Sequence, residues 1–148
     1  MRKTVFAAVI ILLFTSLAFG DDKPLSVSDM VKKLDDSKQT SAAIKSYAKE
    51  IKGKRAEGTG KVVDVLDGKR DKYRVTILSD GSKSERGYNV VLYTTMNAPA
   101  ELKKDQKVRF KGEVGRVSTF RGTSIDIHGD YAVMQAKPAN ANNPKKKK

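Results

Sequence analysis

Gly60-Lys61-Val62-Val63-Asp64-Val65 and Gly112-Glu113-Val114-Gly115-Arg116-Val117 share one frame, Gly-x-Val-x-x-Val. Each sits inside a long stretch of period-two alternation. The first runs from Arg55 to Leu66, contains Gly58 and Gly60, and is closed by Asp67-Gly68. The second opens on Val108, Phe110, Gly112 and Val114, with Gly112 and Gly115 as its bend points. Glycines placed early in a long strand predict a bulge or a sharp coil rather than a loop. The shared frame therefore reads as two strands that need the same coil, not as a duplication.

Three shorter strands complete the pattern. Tyr73 to Leu78 alternates and ends in the turn cluster Ser79-Asp80-Gly81-Ser82. Tyr88 to Thr94 follows, with Tyr88, Val90 and Leu92 expected on one face. Asn97-Ala98-Pro99-Ala100 breaks the sheet, and Glu101 to Asp105 reads as a short polar connection. After a loop at Ser118 to Thr123, Ile125 and Ile127 begin a last strand reaching Val133. Five strands, the first and fourth long and glycine-bent, predict a mainly β fold: a five-stranded OB-fold Greek-key barrel, in which the first strand serves both halves of the sheet. A β-sandwich needs about seven strands.

An N-terminal helical segment precedes the barrel. Residues 21–26 read as a polar lead-in, and Met30, Val31 and Leu34 form a weak apolar stripe. A better helix follows, capped by Thr40 or Ser41, with Ile44, Tyr47, Ala48 and Ile51 at i, i+3, i+4 and i+7. Lys52-Gly53 ends it, with Gly53 suited to a left-handed cap. The expected organisation is 1–20 signal peptide, 21–53 helical lead, 54–135 barrel and 136–148 disordered Lys-rich tail.

The signal assignment rests on Arg2 and Lys3, the apolar run Val5 to Leu17, and the small residues of Ala18-Phe19-Gly20. No cysteine follows the run, which excludes a lipid-anchored lipoprotein. The chain is expected to be exported, periplasmic or secreted, with no transmembrane segment after cleavage. The absence of cysteine throughout leaves neither disulfides nor thiolate chemistry. Net charge is +13, and the terminal Lys145 to Lys148 contribute four of those charges. A basic body with a cationic tail is drawn to nucleic acid, an anionic envelope polymer or lipid headgroups.

Several stretches together resemble a known family. Tyr47-Ala48-Lys49-Glu50-Ile51-Lys52-Gly53-Lys54 leads into Glu57-Gly58-Thr59-Gly60-Lys61-Val62. Leu102-Lys103-Lys104-Asp105-Gln106-Lys107-Val108 and Phe110-Lys111-Gly112-Glu113-Val114 come later. Over roughly residues 41–134 this resembles the tRNA_anti-like family of exported bacterial OB-fold proteins, with Lys104-Asp105-Gln106 standing where the family more often has a Gly-Asp pair. The resemblance implies a polyanion-binding barrel.

No catalytic or cofactor assignment is expected. The single His128 lies between Ile127 and Gly129, and alternation places it with Asp126 on the solvent face. Metal sites usually need three or four convergent ligands, so His128 with Asp126 and Asp130 reads as solvated surface. Val62 to Gly68 is similar to the first strand of secreted thermonucleases. Lys69-Arg70 then stands where a calcium-binding carboxylate is needed, and no later Asp-Thr-Pro occurs. Binding is the better expectation. OB barrels commonly use the face of the second and third strands, flanked by the first-to-second and fourth-to-fifth loops. That face would present Arg74, Thr76, Asn89, Val91 and Tyr93. Lys69, Arg70 and Lys72 come from one loop, and Arg116, Phe120 and Arg121 from the other. Charge that tracks phosphate beside rings that stack bases suits single-stranded nucleic acid. The alternative is a structural or protein-interaction module whose partner is an envelope protein.

Overall fold

The computed structural model describes residues 23–70 and 72–135; the expected signal peptide and Lys-rich tail lie outside them. Six strands and three helices follow one another as β1 (Leu25–Ser26), α1 (Val27–Lys33), α2 (Ser41–Ile51), β2 (Arg55–Asp67), β3 (Tyr73–Ser79), β4 (Val90–Thr94), α3 (Ala98–Glu101), β5 (Lys107–Ser118) and β6 (Ser124–Val133). The strand order β2-β3-β4-β6-β5 closes on itself because β2 also pairs with β5. β4 and β6 run parallel and the other barrel pairs antiparallel. This is the five-stranded OB barrel expected from the sequence.

Closure depends on β2 serving two partners. Its first half, Arg55 to Lys61, pairs with β5, and its second half, from Gly60 on, pairs with β3. The inward side chain changes phase on the way. Val62 opposes Ile77 but Asp64 opposes Thr76, so Val63 is an extra residue. β5 does the same against β6: Val114 opposes Ile127 and Val117 opposes Ile125, leaving Gly115 and Arg116 together opposite Asp126. A bulge of this kind bends the strand and increases its twist.

The Gly-x-Val-x-x-Val frame thus encodes a bulge twice. Val62 and Val114 are fully buried, while Val65 and Val117, three residues on, pack against the same core. Strict alternation cannot put residues i and i+3 on one face; one inserted residue can. The bulges fall after Val62 and Val114, not at Gly58 or Gly60. Those glycines serve close approach instead. A Cβ at Gly60 would collide with the Leu78 carbonyl, and one at Gly58 with the Phe110 ring. Gly112 and Gly129 face each other across β5 and β6, each leaving no room for a methyl group between the two backbones.

The helical lead is integral to the core. α1 buries Val27 and Met30, Leu34 follows at its end, and α2 buries Ile44 and Ile51, beside Phe110, Ile77, Leu92, Ile125 and Ile127. The Thr40 hydroxyl accepts a hydrogen bond from the Ala43 amide, fixing the α2 start. α2 ends in a type II turn, Lys52 at φ −59°, ψ 130° and Gly53 at φ +79°, closed by the Lys54 amide on the Ile51 carbonyl. The Thr123 hydroxyl donates to the Leu34 carbonyl, joining the end of α1 to the β5–β6 loop.

Three expectations need correction. Leu25–Ser26, read as polar lead-in, pairs in parallel with Ala56 and Glu57 of β2. The sheet break at Asn97 to Ala100 contains a helical turn, α3, which buries Ala98 and sets Leu102 into the core. Glu101 on that turn accepts a 2.6 Å hydrogen bond from the Tyr131 hydroxyl, and burial followed by this bond pushes the phenol well above its ordinary pKa. The third barrel strand begins at Val90 rather than Tyr88, because Asn89 is taken up by Ser79. Its side chain accepts from the Ser79 amide and donates to the Ser79 hydroxyl.

Gly129→Ala tests the packed crossing of β5 and β6. The added methyl must displace backbone on the facing strand, so a loss of about 3 kcal/mol is expected in urea unfolding. Gly81→Ala, with no atom within 4 Å of its Cβ but φ +72°, is expected to cost about 1 kcal/mol.

Candidate nucleic-acid interface

The two bulges decide which side chains reach the outer face. Past Val63, Asp64 and Leu66 point outward; past Gly115, Arg116 does. Register then aligns outward residues across the sheet. Leu66 opposes Arg74, Arg74 opposes Tyr93, and Tyr93 opposes His128. A second row beside it reads Asp64, Thr76, Val91 and Asp126. Both rows cross the strands rather than follow them.

In the first row the Tyr93 and His128 rings stack, with centroids 5.0 Å apart and planes 19° from parallel. The Gly115 backbone lies against the His128 ring, since a Cβ there would fall 2.7 Å from Nε2. A groove of about 290 Å³ is lined by Val63, Asp64, Leu66, Arg74, Thr76, Arg86, Tyr88, Val91 and Tyr93. Leu66 is 39% exposed and adds an apolar flank.

The loops stand at opposite ends of this face. The β2–β3 loop carries Lys69, Arg70 and Lys72, all exposed, and is pinned by the Gly68 amide on the Lys72 carbonyl. The β5–β6 loop carries Phe120 and Arg121. Phe120 is 70% exposed, with the Arg121 guanidinium 5.4 Å from its ring centre. Arg86 of the β3–β4 loop donates from Nε to the Arg121 carbonyl at 3.1 Å, tying the two loops together. Arg70 (φ 58°) and Arg121 (φ 54°) adopt left-handed backbone, where a side chain is strained.

The structure therefore brings Arg74 and Tyr93 into one groove, with Arg116 on β5, beyond β6, and Lys69, Arg70, Lys72, Phe120 and Arg121 in the loops at the ends of the face. Arg116 lies within β5, not in a loop. Two of the expected face residues are not free to bind. The Thr76 hydroxyl donates to the Asp64 carbonyl at 3.2 Å, and Asn89 is buried. Arg86, Tyr88 and His128 are the additions. Tyr88, expected among the inward residues, precedes β4 and lines the outer groove.

Asp126 is the anomaly of the face. It is half-buried and opposes Val91, with Arg116 in the bulge beside it. Burial pushes its carboxyl above the ordinary value, outweighing the pull of His128, Arg116 and Arg74. Among the described residues no cluster of three or more His, Cys, Asp or Glu could hold a metal ion. No described helix is long and apolar enough to cross a membrane.

The Asp126 shift has a testable sign. A carboxyl whose folded pKa is raised destabilises the fold above that pKa, and the penalty fades as pH falls through it. Asp126→Asn is therefore expected to melt at a higher temperature than the parent at pH 7. The two curves should converge below the usual carboxylate range, as read by thermal unfolding across pH.

No family model and no curated protein matches the chain. Among solved structures it is similar to OBody AM3L15 bound to hen egg-white lysozyme, at 22% identity over 63% of this chain and 88% of that one, TM-score 0.42. OBody AM1L10 bound to the same lysozyme is similar at 21% identity over 60% and 85%, TM-score 0.41. Schizosaccharomyces pombe Pot1pC bound to ssDNA aligns at 11% identity over 61% and 84%, TM-score 0.36.

Proposed function

We propose that this chain is an exported, non-enzymatic OB-fold protein that binds single-stranded nucleic acid across the β3–β4 face. The observation that carries the reading is the stacked Tyr93–His128 pair beside Arg74, in a row running across the strands. A polyanion without bases needs cations alone. Here two stacked rings lie beside Arg74 in one row, which suits bases on rings and phosphates on a guanidinium group. Phe120 and Arg121 in one loop and Lys69, Arg70 and Lys72 in the other add a further ring and further cations beyond the strand ends. The resemblance to the tRNA_anti-like proteins points the same way and also supports export. A lysine tail near an anionic polymer or lipid surface would add a non-specific attraction.

The competing reading is a protein-interaction barrel of the cell envelope. It draws on the exposed Phe120 and Leu66, which would anchor a partner as readily as a base. The two separate by salt. If all seven cations of the face and its loops (Lys69, Arg70, Lys72, Arg74, Arg86, Arg116 and Arg121) contact phosphates, affinity falls with a log–log slope near ~−5. An apolar protein contact gives little slope.

Binding of labelled single-stranded DNA, measured by anisotropy over a salt series, tests the proposal. Tyr93→Ala is expected to cost about 1–3 kcal/mol with the slope unchanged. Arg74→Ala is expected to shallow the slope by about 0.7. Failure to bind single strands at low salt would remove the proposal.

A further inference from the structure

The Asp126 carboxylate needs an explanation that cation-driven binding does not give. It lies in the row next to the stacked rings, two residues before His128 on the same strand and directly across from Val91. A surface built only to hold phosphates gains nothing from a carboxylate in its middle, since phosphate and carboxylate repel. The fold also bears the cost of half-burying it. Arg116 and Arg74 attract it, yet neither forms an ion pair with it among the described residues. Both oxygens therefore remain acceptors available to a ligand.

The chemistry of base edges narrows what can use them. A carboxylate offers two acceptors side by side and no donor. Guanine presents two parallel donors, N1–H and the N2 amino group, on its Watson–Crick edge. Adenine and cytosine each place one amino group beside a ring acceptor that a carboxylate repels. Thymine and uracil hold a single N–H between two carbonyls. Unpaired bases in single strands are open to reading on this edge. A guanine stacked on the free face of one of these rings would lie beside the adjacent row, since Asp126 and His128 project from the same face of β6 two residues apart.

We infer that Asp126 reads base identity at this face and selects guanine in the bound strand. The inference rests on the single-strand reading above. The bulge at Gly115–Arg116 serves it doubly: Gly115 lets the His128 ring approach the strand, and Arg116 sets a cation beside the carboxylate for the neighbouring phosphate.

The test uses the full chain and labelled strands of about ten nucleotides, within the range one OB barrel covers. One strand is all thymine, a second carries isolated guanines, and a third carries deoxyinosine at those positions, which lacks the N2 amino group. The parent protein is expected to bind the guanine strand about tenfold more tightly than the thymine strand. Inosine is expected to lose most of that preference. Asp126→Asn is expected to bind thymine at least as tightly as the parent, which also shows that the variant is folded, and to lose the preference for guanine. Equal affinity of the parent for guanine and thymine strands overturns the inference, as does a preference that survives Asp126→Asn. Either result leaves the single-strand reading standing. Absence of binding to all three strands overturns both.

Discussion

One inserted residue in each of two strands governs this barrel. Val63 in β2 and the Gly115–Arg116 pair in β5 each put two residues opposite one, so the inward face passes from Val62 to Val65 and from Val114 to Val117. Without the insertion Asp64, Leu66 and Arg116 would point into the core. Burying Arg116 unpaired would cost several kcal/mol. β2 passes from β5 to β3 at Gly60 and Lys61, which pair with both, and the bulge that follows adds twist as the sheet closes. The same two insertions deliver Leu66 and Arg116 to the outer face, so the phase of the core and the site share one cause.

Around that constraint the molecule divides its labour. Apolar side chains from α1, α2 and all five barrel strands fill the interior, with Phe110 at the junction of β2, β5 and α1. Thr59 donates at 2.6 Å to Asp80, which pairs with Lys107 at 3.1 Å; led by the Thr59 bond, these contacts hold the Asp80 carboxyl below its ordinary value. That carboxylate is structural, paired and low. Asp126 is the reverse: without an ion pair among the described residues, half-buried and raised. The contrast between two aspartates of one barrel separates a residue kept for the fold from one the fold tolerates.

Helices α1 and α2, the five barrel strands and the inward Val, Ile and Phe positions are legible in the sequence because alternation and helical spacing report burial directly. The repeated Gly-x-Val-x-x-Val frame carries more than its glycine spacing. Valines three apart in a strand imply a phase change, and that change alone turns Asp64 and Leu66 outward. Other features lie beyond local reading. The Tyr93–His128 stack depends on the parallel register of β4 on β6, set by residues far apart in sequence. Tyr88 and Arg86 reach the groove through the path of the β3–β4 loop, and Asn89 leaves the face because Ser79 captures it. Lys69, Arg70, Lys72, Phe120 and Arg121 are legible as loop residues from the turn-forming stretches around them, and those loops stand at the two ends of the face.

Amide shift mapping by NMR on the ¹⁵N-labelled protein, titrated with a short single strand at low salt, locates the bound strand on the barrel. Perturbations are expected along Leu66, Arg74, Tyr93 and His128 and at the 69–72 and 119–123 loops, with the Arg55, Lys111 and Asp130 side of the barrel unchanged. Shifts confined to that opposite side would contradict this placement.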